Sequence, residues 1–170
     1  ILYGLAIYAL GLTLNIFTVS TIRTIALVRA AKGVGFVLTL LIAFLLFDAI
    51  LSVRLNLWLT VMMIAVVSFL LFLQGLWVTR LEKNIFSGDL LPTTGLFSLG
   101  LAEIATLLYF WPVSVVVGSL FLTVAVYILL GFGQASREGR LFKQTVREYL
   151  TVGLVVFLSM FFFATHWGGY

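Results

Sequence analysis

An all-α fold, a polytopic transmembrane helical bundle with six spans, is what three observations on this 170-residue chain predict. Apolar residues make up 63% of it and charged residues only 9%, against roughly 45–50% and about 25% in soluble domains. So few charges cannot cover a globule of this size in water. The apolar residues fall into six separable stretches near the roughly 20 residues that an α-helix needs to cross a bilayer. The basic residues fall in alternate connections between those stretches, as a chain threaded through a membrane requires.

The elements follow in order. The first predicted span runs from Ile1 to about Ile22 and the second from Gly33 to about Ser52. The third covers Leu57 to Thr79, the fourth Gly95 to about Phe110, the fifth Val113 to Gly133 and the sixth Leu150 to about Trp167. Trp111-Pro112 separates the fourth from the fifth, because proline lacks an N–H and drives the preceding residue out of helical geometry. One helix through both would reach about 60 Å, twice the hydrocarbon thickness.

Loop charge orients the bundle. Arg23, Arg29 and Lys32 lie between the first two spans, Arg80 and Lys83 between the third and fourth, and Arg137, Arg140, Lys143 and Arg147 between the fifth and sixth. Arg54 alone lies on the other side, so nine of ten basic residues share one side. The positive-inside rule makes that side cytoplasmic and places both ends of this chain outside. Trp58, Trp111 and Trp167 then fall at outer helix ends and Trp77 at an inner end, the headgroup level that tryptophan prefers. Tyr3 and Tyr149 also fall at ends. The whole is expected to form a single transmembrane domain. Because it opens at Ile1 within an apolar stretch, a processed segment or at least one further helix is expected upstream.

Several chemistries are excluded or disfavoured. With no cysteine and one histidine, His166, the chain offers no disulfide, no thiolate site and no two-histidine metal site. No metal and no cofactor are expected. The net charge of +4 is ascribed to loops on an anionic inner leaflet and not to nucleic acid. Gly33-Val34-Gly35 and Gly131-Phe132-Gly133 follow no strand and lack the third glycine of a dinucleotide loop. No serine lies in a nucleophile-elbow context. The expectation is a protein that is not an enzyme.

Glu103 is the residue with most to say. Near the middle of the fourth span, its carboxylate would cost roughly 2.5–3.5 kcal/mol on insertion scales. It must therefore be protonated, paired or turned to a cavity. Helical spacing sets Gly100, Thr106 and Leu107 on its face. Two readings stand: a proton or cation site, or a neutral acid hydrogen-bonding across a helix contact that Gly100 allows to be close.

Other polar positions are weaker. Asp48 and Arg54 form a candidate interfacial pair, with Asp48 and Glu103 set about 10 Å apart in depth. Gly4, Tyr8, Gly11 and Asn15 recur every three or four residues, a small and polar stripe suited to helix packing, and Gln74 offers a similar hydrogen bond. His166, beside Trp167, is expected to be a solvated interfacial residue. From Gln134 to Tyr149 the connection looks amphipathic: Arg140, Lys143 and Arg147 form a basic stripe, while Phe142, Val146 and Tyr149 gather on another face. With Arg137, these cations suit an anionic inner leaflet or a docking partner.

The strings Asn15-Ile16-Phe17, Arg23-Thr24-Ile25 with Arg29-Ala30-Ala31, Phe110-Trp111-Pro112 and Arg147-Glu148-Tyr149 together resemble a group of uncharacterised multi-pass membrane proteins of bacterial genomes. The similarity covers most of the chain. In that group further apolar helices usually precede the matching region. The resemblance implies a bacterial cell (inner) membrane and carries no activity.

Function is thus expected to be that of a non-catalytic membrane subunit or scaffold working through helix–helix contacts, with itself as a homo-oligomer or with other membrane subunits. The alternative is a small proton- or cation-linked transporter or channel using Glu103.

Overall fold

The computed structural model describes residues 7, 8, 11, 25–80, 90–137, 139, 143–159 and 162. Five helices follow in order: α1 (Ile25–Ser52), α2 (Leu57–Arg80), α3 (Leu90–Tyr109), α4 (Val115–Arg137) and α5 (Lys143–Ser159). Four of them hold stretches long and apolar enough to cross a membrane: Ala30–Ser52, Leu57–Val78, Leu90–Tyr109 and Val115–Arg137. Their surface is oily. Met62, Val66, Leu70, Leu96, Leu99, Leu107 and Leu120 are all exposed, a continuity of apolar side chains that soluble monomers avoid and that lipid tails match.

Helix ends follow local chemistry. The main-chain N–H of Arg54, at φ 50°, bonds the Leu51 carbonyl at 3.3 Å, a left-handed residue closing α1 as helix C-termini commonly require. Asn56 Oδ1 accepts from the Leu59 N–H at 3.2 Å and caps α2; Ser114 Oγ accepts from the Val117 N–H at 3.4 Å and caps α4. Between Tyr109 and Val115 the chain breaks at Trp111-Pro112 as expected, with the Val113 N–H turned onto the Trp111 carbonyl at 2.8 Å.

Two boundaries differ from the sequence expectation. α3 begins at Leu90 and not at Gly95, because Pro92 falls in the first turn, where its missing N–H has no helical partner to lose. The amphipathic segment from Gln134 to Tyr149 is not one element. α4 continues to Arg137, the N–H of left-handed Gly139 (φ 68°) bonds the Ser136 carbonyl at 3.1 Å, and α5 begins at Lys143. Arg137 and Arg147 therefore belong to different helices.

The chain divides into Ile1–Ile42 and Ala43–Tyr170. In the first unit Ala31, Thr39 and Ile42 are buried, and Thr39 Oγ1 donates to the Gly35 carbonyl at 2.8 Å. In the second, α2 packs most extensively on α3, and α4 touches α2, α3 and α5. Phe47, Ile64, Phe72, Leu76, Leu101, Leu122 and Leu130 fill its core. Phe72 and Phe97 meet edge to face at 5.6 Å between centroids, a geometry that the ring quadrupole favours.

α5 lies antiparallel to α4. Tyr149 packs on Tyr127 at 5.5 Å, and Phe121 on Phe157 at 6.3 Å. Gly153, which lies between Tyr149 and Phe157 on α5, comes close to the Ile128 side chain.

Candidate functional site

α3 has two faces of opposite character. The inner face presents Thr94, Ser98, Ala102, Ala105 and Leu108, all buried. Small residues every three or four positions let a neighbouring backbone come near, as packing within a bilayer requires. The hydroxyls are satisfied within the helix: Thr94 Oγ1 donates to the Leu90 carbonyl at 2.8 Å and Ser98 Oγ to the Gly95 carbonyl at 2.9 Å. Neither hydroxyl is thereby left unsatisfied against the core.

The outer face carries Leu96, Leu99, Glu103 and Leu107, exposed from 63% to 68% for the three leucines, with Glu103 exposed among them. Gly100 lies beside Glu103, and a Cβ built there meets nothing within 4 Å. Thr106, also near, spends its hydroxyl on the Ala102 carbonyl at 2.8 Å. Among the described residues, the face that the sequence assigns to a close helix contact is therefore open. An acid and a glycine notch stand together on an apolar surface.

The depth of Glu103 is corrected by the longer α3. It lies thirteen residues from Leu90 and six from Tyr109, so about 9 Å from the Tyr109 end and off the centre of the helix. Asp48, four residues before the Ser52 end of α1, lies about 6 Å from its own end. Measured along their helices, the distances of the two acids from those ends differ by about 3 Å. The two acids stand apart all the same: Glu103 faces outward, while Asp48 takes a hydrogen bond from Ser119 Oγ of α4 at 3.4 Å. Ser119, and not Arg54, is the hydrogen-bond partner of Asp48.

The other packing expectations change places. Gly4, Asn15 and His166 lie outside the described residues. Gly11 is exposed with nothing within 4 Å of a built Cβ, so it makes no close approach. Among the described residues the tightest approaches are at Gly75, Gly131 and Gly133, followed by Gly153. A Cβ on Gly133 would stand 2.7 Å from Leu76 Cδ2 and 2.8 Å from Phe97 Cε2; on Gly131, 2.6 Å from the Tyr149 ring. Gln74 is half-buried, and the interhelical amide bond comes from Gln134, whose Nε2 donates to the Gly75 carbonyl at 3.0 Å. The signal was present in Gly131-Phe132-Gly133-Gln134, a small-residue notch followed by an amide on a helix.

At the basic end, Arg137 is half-buried and Arg147 exposed; Arg140 lies outside the described residues, and Lys143 opens α5. Tyr149 does not face a lipid surface but packs on Gly131 and Tyr127. Its hydroxyl pKa is raised, first by burial, then by Tyr127 and Glu148 nearby. Among the described residues no group of three or more His, Cys, Asp or Glu is placed to hold a metal ion.

A family model described as "Protein of unknown function (DUF5656)" matches residues 4–163. No curated protein and no solved structure matches the chain. Covering nearly its full length, the family match shows that the chain belongs to that family of unknown function.

Proposed function

We propose that this member of the family is a non-catalytic membrane subunit or scaffold, acting through helix–helix contacts made by the outer face of α3. One observation carries the reading: Glu103 stands beside Gly100 on an exposed, otherwise apolar helix face. Lipid offers a carboxyl group no hydrogen-bond partner, and leaving it there is costly. A partner helix seated over the Gly100 notch removes that cost.

In this reading six spans cross a bacterial cell membrane with both chain ends outside. The support is the basic asymmetry, nine of ten cations in alternate connections, which faces an anionic inner leaflet. α5 adds to it: the helix runs back along α4 from Tyr149 to Phe157, and the apolar sequence continues to Trp167.

The test is the mass of the particle extracted in mild detergent. The wild-type chain should run as a defined assembly, alone or with co-purifying membrane subunits. Glu103→Gln should preserve it, since glutamine keeps a hydrogen-bonding head, and Glu103→Leu should shift it toward monomer. A monomer in all three cases overturns the reading.

The alternative, a proton- or cation-linked carrier, rests on the same acid. It predicts pH-dependent flux in liposomes that Glu103→Gln abolishes with the fold intact.

A further inference from the structure

A second feature lies away from the outer face of α3. Where α1 ends, α2 begins, α3 ends and α4 begins, the chain forms an open cleft of about 470 Å³. That volume falls in the range of small-molecule sites, about 300–1,000 Å³. Its walls divide by chemistry. Leu51, Leu55, Leu108, Val113 and Val115 make an apolar side; Arg54, Thr60 and Ser114 bring the polar groups, with Tyr109 and Trp111 between.

Among the described residues of the lining, Arg54 supplies the only charge and none is a carboxylate. The nearest acid in sequence on α1, Asp48, is engaged by Ser119. Arg54 sits in the left-handed region at φ 50°, where a non-glycine residue is uncommon. Asparagine or glycine would fit that backbone more easily, so the turn geometry does not explain an arginine there. The first-turn amides of Leu59 and Val117 are occupied by Asn56 and Ser114, and Arg54 supplies the cation that an incoming anion would meet. Trp58, the second residue of α2 and 81% exposed, and Trp111 mark this end as headgroup level.

We propose that this cleft binds an amphiphile with one anionic head, its phosphate or carboxylate held by the Arg54 guanidinium and its apolar body lying on Leu51, Leu55, Leu108 and Val115. A planar guanidinium matches those oxyanions two bonds at a time. The apolar wall distinguishes a lipid-like ligand from a free anion, which has nothing to lay against it.

The full chain, purified in dodecyl maltoside, is titrated with dihexanoylphosphatidic acid, dihexanoylphosphatidylcholine and sodium phosphate, and bound ligand is counted by native mass spectrometry. The phosphatidic acid should saturate a single site, with phosphatidylcholine and inorganic phosphate each at least about tenfold weaker. Arg54→Lys should retain part of the binding through its charge and lose the part that the paired guanidinium geometry supplies. Arg54→Gln, at an exposed position, should lower it about tenfold or more, the scale of a lost charge-assisted hydrogen bond. Val115→Trp should also lower it, by filling the apolar side with Arg54 intact. Equal binding of the two lipids, or unchanged binding in Arg54→Gln, overturns the proposal. Inorganic phosphate binding as tightly as phosphatidic acid overturns the amphiphile and leaves a bare anion site.

Discussion

Gln134 reaches from α4 to α2 and donates its Nε2 hydrogen to the main-chain carbonyl of Gly75 at 3.0 Å. The approach exists because Gly75 has no side chain: a Cβ there would stand 2.6 Å from Leu130 Cδ1. One turn of α4 thus supplies both the packing knob and the hydrogen bond. Interhelical bonds of this kind in membrane proteins contribute about 0.6 kcal/mol on average and up to about 1.7. Gln134→Leu should lower the thermal midpoint of the detergent-solubilised chain by a few degrees. No change in midpoint would show that the bond adds nothing over solvent or lipid.

The glycines of this bundle should separate into two classes. Gly133→Ala places a methyl group against both Leu76 and the Phe97 ring and should destabilise by about 1–3 kcal/mol, the cost of overpacking. Gly100→Ala meets open space and should leave the unfolding midpoint of the monomer unchanged or slightly raised, since alanine favours helix. In the assembled particle the order should change, with Gly100→Ala weakening association. Paired denaturation and particle-mass measurements on the two variants decide it.

A chain without cysteine is ready for single-cysteine mapping. Cysteines at Leu99 or Leu107, on the exposed face of α3, should form a crosslink to the partner helix in native membranes. A cysteine at Ser98, buried in the core, should form none. Equal crosslinking at Leu99 and Ser98 would remove the outer face of α3 from consideration as a contact.

Burial raises the pKa of Tyr149 above its usual value of 10.0, helped by Tyr127 and Glu148. A raised pKa in the folded chain means that the neutral phenol contributes stability in full below about pH 10 and loses it as pH rises through the folded value. The detergent-solubilised protein should therefore lose stability from about pH 10 upward. Tyr149→Phe, which keeps the ring on Gly131, should flatten that part of the profile. An identical alkaline profile in the two proteins would refute it.

Asn56 caps α2 through the Leu59 amide. Asn56→Ala should cost about 1 kcal/mol and Asn56→Asp or Asn56→Ser much less. Chemical denaturation of the three variants tests the order.

Composition and hydrophobic run length by themselves determined that the chain is helical and membrane-like, since both depend only on how much apolar surface each stretch must hide. Local chemistry also carried the break at Trp111-Pro112, because proline acts within its own turn. Tertiary structure decided the rest. Gly11 and Gly100 look like packing glycines by spacing, yet among the described residues the close contacts fall at Gly75, Gly131, Gly133 and Gly153, because an approach depends on what the facing helix presents: Leu130, Tyr149, Phe97 and Ile128. Pro92 and Gly139 moved helix boundaries by one to two turns, and with them the depth of Glu103 and the division of the basic stripe. That Glu103 faces outward could not be read along the chain either. On an apolar helix every face is oily, and only the neighbours determine which one remains uncovered.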